Sequence, residues 1–215
     1  MTEGVDVGLE VGRKRTFAWA LEWPGWCRSG RDPDSALEAL AGYRQRYAPV
    51  AERAALRLPH IPAAGPRVVE TVAGDTTTDF GAPHIVTDSD RRRLDAAGTR
   101  RLVALVDAAW AALDAVVAGA PASLRKGPRG GGRDRDAMVA HVAGAERAYA
   151  SRAGAPVGAA EWRAGGIELL RDRLREALAS PARDAKSGAW PPRYVARRVA
   201  WHALDHAWEI EDRSD

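Results

Sequence analysis

The spacing of apolar residues changes about one third of the way along this 215-residue chain, and that change constrains the fold more than any other feature. A helical pattern over Pro33–Arg57, with Asp32 as N-cap and Pro33 at the first helical position, lies among shorter alternating segments. Alternation predicts strands at Val5–Val11 and Thr16–Trp23, and two further strands are predicted at Trp26–Ser29, after the Pro24-Gly25 break, and at Arg67–Ala73, after a series of prolines. The predicted order is β-β-β-α-β, which is an α+β arrangement.

From residue 90 onward the periodicity is helical. It predicts four amphipathic helices, at Arg91–Ala118, Asp134–Arg152, Glu161–Ala179 and Arg193–Asp212. Four such helices in succession favour an antiparallel four-helix bundle. The polar, irregular stretch Gly74–Ser89 predicts a linker. We therefore expect an α+β domain over residues 1–75, a linker over 76–90 and a bundle over 91–215.

The composition excludes several classes of protein. With 46% hydrophobic and 28% charged residues, the chain is not a disordered one. A net charge of +3 gives no reason to expect nucleic acid as a partner. Because no run of about 18 apolar residues is present, we expect a cytoplasmic protein with no membrane partner. Cys27 is the single cysteine, which rules out an internal disulfide and predicts a small buried side chain rather than a nucleophile.

The positions of three of the five histidines indicate a metal site. His202 and His206 are four residues apart on the last helix, so both imidazoles lie on one helical face. His141 lies in the second helix of the predicted bundle among apolar residues, where a polar ring needs a reason. Three imidazoles from facing helices can hold one divalent ion. The alternative is that they are ordinary histidines on partly buried faces. We assign no role to His60 or His84.

This pattern resembles that of the DinB/YfiT-like superfamily of four-helix proteins. Residues 90–215 are similar to that group in having His141 on the second helix and His202 and His206 on the last, within WHALDHAWEIEDR. The resemblance implies a divalent metal, zinc or nickel, with open coordination positions. It also implies a small-molecule substrate and, in several relatives, a low-molecular-weight thiol such as mycothiol or bacillithiol as cosubstrate of an S-transferase or isomerase. Activation of water at the same ion would instead make a hydrolase.

Charged residues near the histidines suggest further roles. The segment RKGPRGGGRDRD precedes the second helix, and its free backbone N–H groups with Arg129 and Arg133 could bind an anion such as the carboxylate of a small thiol. The alternative is a solvated loop with no ligand. Arg198, one turn before His202, could contact an anionic substrate. Glu209 is a candidate acceptor for an imidazole N–H, or simply an ion-pair partner of Arg213. Asp205 is a weaker candidate acceptor.

The first third of the chain resembles a second family. The segment FAWALEWPGWCRSGRDPDSALEAL is similar to HicB-like antitoxins in its Pro24-Gly25 turn, in Gly30 and in the helix containing Ala36-Leu37, with Cys27 displaced by one position. That resemblance implies a non-enzymatic module that binds a small RNase toxin, with a structural or vestigial metal site in the bundle. No helix-turn-helix or ribbon-helix-helix pattern follows residue 73. Trp19, Trp23 and Trp26 are expected to pack in the core. Homodimerisation is left open.

Overall fold

The chain folds into a four-stranded sheet followed by a group of packed helices, a mixed α+β arrangement. The structure, a computed structural model, describes residues 4–127, 132–179 and 188–214. The strands are β1 (Asp6–Val11), β2 (Thr16–Ala20), β3 (Cys27–Gly30) and β4 (Arg67–Ala73). Their order in the sheet is β3-β2-β1-β4. The first three strands pair antiparallel, as their short connections require, and β4 pairs parallel with β1 after the helical crossover.

The described helices are α1 (Pro33–Gly42), α2 (Arg44–Arg53), α3 (Thr76–Phe80), α4 (Ala96–Gly119), α5 (Arg135–Arg152), α6 (Ala159–Ala179) and α7 (Pro192–Ser214). The single helix predicted over Pro33–Arg57 is two helices, because the chain departs from helical geometry at Tyr43. The helix predicted to begin at Arg91 begins five residues later, because the Asp95 side chain accepts a hydrogen bond from Gly98 N and caps it. Helices α4 and α5 each pack against both α6 and α7, and α6 also contacts α7.

A large hydrophobic cluster joins the sheet to the helices, and a smaller one around Phe17, Trp19, Cys27 and Trp201 lies between the sheet and α7. Buried residues of β1, α1 and α2 belong to the same cluster as those of α4 to α7. Trp26 stacks on Tyr47 with ring centroids 5.5 Å apart, and the Tyr47 hydroxyl donates to Pro24 O at 2.8 Å. Trp19, Trp23 and Trp26 are all buried. These side chains therefore fix the position of the sheet relative to the helices.

Helix α7 packs directly against the sheet. Gly25, at φ 91, allows the turn between β2 and β3 to approach α7 so closely that a Cβ there would lie 2.6 Å from Leu204 Cδ1. Trp201 meets Phe17 edge-to-face with centroids 6.1 Å apart. Arg28 of β3 pairs with Asp205 of α7 at 3.0 Å. Helix α7 is thus held by the sheet as well as by the other helices.

The segment predicted as an irregular linker is held in place by buried charges. It contains α3, and the fully buried carboxylate of Glu10 accepts hydrogen bonds from Thr78 Oγ1 at 2.6 Å, His84 N at 3.1 Å and Ile85 N at 3.0 Å. At its end, Asp90 forms a buried ion pair with Arg197 of α7 at 2.6 Å. Because a buried ion loses its hydration, these charges are tolerable only in this fixed geometry.

Among the helices in the described ranges, α4 alone is long and apolar enough to cross a membrane by length and composition. In this structure it is a core helix. Leu105, Val106, Ala109 and Trp110 are buried by the surrounding helices, of which α7 makes the most extensive contact with α4. Packing against the other helices therefore accounts for part of its apolar character.

Candidate metal centre

Helices α5 and α7 bring the three predicted histidines together. His141 lies near the middle of α5, and His202 and His206 lie one turn apart on the face of α7 that packs against it. His202 is buried, whereas the other two are partly exposed. Within the residues that the structure describes, this is the only group of three metal-ligating side chains whose donor atoms lie within 4.8 Å of one another.

The distances match a tetrahedral set of imidazole ligands. His202 Nε2 lies 3.2 Å from His141 Nε2 and 3.1 Å from His206 Nε2. Zn–N bonds of about 2.0–2.1 Å at tetrahedral angles place neighbouring nitrogens about 3.3 Å apart. The ring centroids of the three pairs are 4.6 to 5.0 Å apart. The same ring nitrogen of each histidine therefore faces a common point.

Burial favours the uncharged form of His141 and His202. Desolvation, followed by repulsion from the other two histidines and from Arg198 and Arg133, lowers the pKa of His202 to about 2. The pKa of His141 is also lowered, first by burial and then by Arg133 and His206. A neutral imidazole has the lone pair that a metal requires. With the ring proton of each imidazole on Nδ1, three lone pairs would face one point, an arrangement that is unfavourable unless a cation lies among them.

A carboxylate fixes the orientation of one of these histidines. His206 Nδ1 lies 3.0 Å from Glu209 Oε2, and Glu209 in turn pairs with Arg213 at 2.7 Å. The hydrogen bond from His206 is the main reason that the pKa of Glu209 is lowered. With its proton on Nδ1, His206 presents the Nε2 lone pair to the cluster, as in carboxylate–histidine–metal arrangements. His202 Nδ1, by contrast, is buried with no hydrogen-bond partner.

Tyr149 borders the cluster and was not singled out from the sequence. Its ring lies 6.0 Å from that of His202, and its hydroxyl accepts a hydrogen bond from Arg198 at 3.0 Å. The one signal for it was its position about two turns after His141 on the same helix. Arg198 also donates to Pro83 O. Arg198 thus holds a tyrosine beside the histidines and is itself buried.

The other residues singled out from the sequence lie around this centre to different degrees. Arg133 is exposed, and its charge lowers the pKa of His141 and His202. Arg129 lies outside the described residues. Asp205 pairs with Arg28 instead of a histidine. Cys27 is buried in the sheet, where desolvation raises its thiol pKa to about 12, so it is not a reactive nucleophile.

The donor set fits a divalent transition metal. Neutral imidazoles suit zinc, nickel, copper and iron, and three protein ligands leave at least one position of a four-coordinate ion for another molecule. Comparison with known proteins adds no family to this description. A scan against models of protein families, a search of curated proteins and a search of solved structures each gave no match to the chain.

Proposed function

We propose that this chain is a divalent-metal protein of the DinB/YfiT-like type that acts on a small molecule in the cytoplasm, as an S-transferase or isomerase using a low-molecular-weight thiol. The observation that supports this most strongly is the convergence of the Nε2 atoms of His141, His202 and His206, with Glu209 orienting one of them. Zinc or nickel is the proposed ion, since both are well served by neutral imidazole ligands.

The side chains near the cluster have distinct roles in this proposal. His141, His202 and His206 would hold the ion, and Glu209 would keep the proton of His206 on Nδ1. An ion bound there would act as a Lewis acid and lower the pKa of a thiol or water bound beside it. The positive charge of Arg133, exposed beside the histidines, would attract the carboxylates of a small thiol. Tyr149, held by Arg198, would form one wall of the substrate space.

The test has two independent parts. Elemental analysis of untagged protein should find about one divalent ion per chain, and His206→Ala should lose it, while His60→Ala, which changes an exposed histidine elsewhere, should retain it. The metal-loaded protein is then assayed with a chlorinated aromatic electrophile and mycothiol, bacillithiol or glutathione. If the ion binds but no thiol is consumed above background, the transferase proposal fails and hydrolysis is the next activity to assay. If no ion binds, the metal proposal fails as well.

A second proposal is that the N-terminal part is a HicB-like protein-interaction module. The observation that favours it is the edge strand β4, on which Val68 and Val69 are 41% and 42% exposed. An edge strand with apolar side chains can pair with a strand of another protein. Co-purification of a small basic protein that is lost on Val69→Lys but kept on His206→Ala would support it. Retention of that protein by Val69→Lys would contradict it.

A further inference from the structure

A cavity of about 430 Å³ lies between α4, α5 and α6. Its apolar lining consists mainly of Leu113, Val117, Val139, Val142, Trp162 and Ile167. None of the three clustered histidines lines it. Its volume is within the range of about 300–1,000 Å³ that is usual for sites binding small molecules. The cavity is therefore a second concave site, separate from the histidine cluster.

A break in α6 shapes one wall of this cavity. Gly166 has φ 55 and ψ −142, so the helix is interrupted there, and a residue with a Cβ would be strained at this position. Trp162 and Ile167, which lie on either side of the break, both line the cavity. A continuous helix would not present these two side chains in the same way. The space thus arises from the backbone conformation and is not a packing defect.

Glu146 of α5 is a buried carboxyl group among the residues that line the cavity. The residue is 0% exposed. Its Oε1 accepts a hydrogen bond from Trp110 Nε1 at 2.7 Å, whereas its Oε2 has no partner. Burial raises the pKa of this carboxyl to about 7, against the opposing effects of Trp110 and Arg171. A buried carboxylate oxygen without a donor destabilises the protein, so the position calls for a partner.

The other charged groups around the cavity are also mostly negative. Arg171 is the one cationic side chain among the described lining residues, and Asp114 already binds it with two hydrogen bonds at 2.6 and 2.8 Å. Asp136 and Glu168 complete the charged lining as exposed carboxylates, of which Asp136 is paired with Arg135 at 2.8 Å. The uncompensated charge at the cavity is therefore negative, which favours a cationic ligand and disfavours an anionic one.

We propose that this cavity is a second ligand site, for a small apolar molecule carrying a protonated amine whose ammonium group pairs with Glu146. The apolar lining would contact the hydrocarbon part of the ligand. Glu146 is closed to solvent, so its side chain would rotate towards the cavity to receive from the ammonium group the hydrogen bond that Oε2 lacks. This proposal does not depend on the metal centre or on the function proposed above.

The test compares two probes of the same shape. Binding of 2-phenylethylamine and of the neutral 2-phenylethanol is measured by calorimetry at about pH 8, where the carboxyl and the amine are both charged. The wild-type protein should bind the amine more tightly. Glu146→Gln keeps the acceptor for Trp110 but removes the charge, and should weaken amine binding by about 30-fold or more while leaving the alcohol unchanged. Glu168→Gln, the matched control at an exposed position, should change amine binding by less than about fivefold.

Three outcomes would overturn the proposal. The first is wild-type protein that binds the alcohol as well as the amine, or neither at millimolar concentration. The second is Glu146→Gln that retains the preference for the amine. The third is amine binding that survives Glu146→Gln and disappears in His206→Ala, which would place the amine on a metal at the histidine cluster. Near-ultraviolet circular dichroism of each variant verifies that the tryptophans around the cavity keep their environment.

Discussion

Helix α5 carries two polar side chains into the bundle, and their surroundings differ in an informative way. His141 meets two histidines of α7, so three imidazole nitrogens lie within 4.8 Å of one another. Glu146 meets one donor, Trp110, and otherwise an apolar cavity. Burial moves both kinds of group towards their neutral forms, lowering the pKa of His202 to about 2 and raising that of Glu146 to about 7. Neutral imidazoles gain the ability to bind a metal, whereas a neutral carboxyl loses its attraction for a cation.

Replacing His202 should give the largest of the expected effects, the loss of stabilisation by zinc. Zinc at about 1,000 times its dissociation constant should stabilise the wild-type protein by about 4 kcal/mol, or roughly 10 °C in melting temperature. His202→Ala should abolish this gain, because His202 Nε2 is adjacent to both other donors. Thermal melts with zinc and with a chelator measure it. His60→Ala should gain as much as the wild type, and an equal gain in His202→Ala would show that zinc binds elsewhere.

The second prediction concerns Glu146, whose Oε2 atom has no hydrogen-bond partner. Its pKa is raised from its ordinary value near 4.5 to about 7, so between these pH values the folded protein keeps a proton that the unfolded chain has lost. The free energy of unfolding should therefore fall as pH rises through this window, by about 3 kcal/mol in total. Urea denaturation of wild type and Glu146→Gln at several pH values isolates this effect. Parallel pH profiles for the two proteins would show that Glu146 is not responsible.

The third prediction concerns Glu209, the carboxylate that orients His206. Glu209→Gln removes the negative charge that fixes the proton of His206 on Nδ1, 3.0 Å away. Metal affinity should fall by about 10- to 100-fold, which is usual for such supporting groups. Competition with a chromophoric chelator measures the affinity. Glu211→Gln, two residues along and paired with Arg46, removes the same charge from α7 and should have little effect. Equal losses in both variants would indicate a general electrostatic effect.

The smallest effect is expected at Arg133. Its charge opposes positive charge on His141 and His202. Arg133→Gln should therefore tighten metal binding, but by less than about fivefold, because the side chain is exposed and screened by solvent. Calorimetry at low and high salt should show the gain shrinking as salt is added. Arg163→Gln, at an exposed position of α6, serves as control. Weaker metal binding in Arg133→Gln would contradict this electrostatic interpretation.

The sequence predicted features that depend on local spacing. Alternation and chain-breaking residues located the four strands, and the spacing of His202 and His206 placed both on one face of α7. Glu209 was anticipated for the same reason, since it is one turn from His206. Its i,i+4 pair with Arg213 is also present, so the two alternatives occur together.

Features that depend on contacts between distant segments could not be predicted. Glu10 accepts hydrogen bonds from Thr78 and His84, which are some 70 residues away in the chain. No local sequence pattern indicates that the segment containing them would be ordered. Glu146 lies at the same four-residue spacing as the buried residues Met138, Val142 and Ala150 of α5. This spacing indicates that Glu146 is buried, but it does not indicate which group it contacts. Its partner Trp110, 36 residues earlier, is brought to it by the packing of α4 and α5 against α6 and α7. The break at Gly166 is equally non-local, because a glycine pair permits a bend without requiring one.

The position of α7 in the chain has a consequence for biosynthesis. This helix covers the sheet through Trp201 and contacts α4, α5 and α6, yet it leaves the ribosome after all of them. From the end of β4 at Ala73 to the start of α7 at Pro192, translation takes on the order of ten seconds. Throughout that interval Phe17 and the turn at Gly25 lack the helix that buries them. The nascent sheet is therefore expected to be a target for chaperones until α7 arrives.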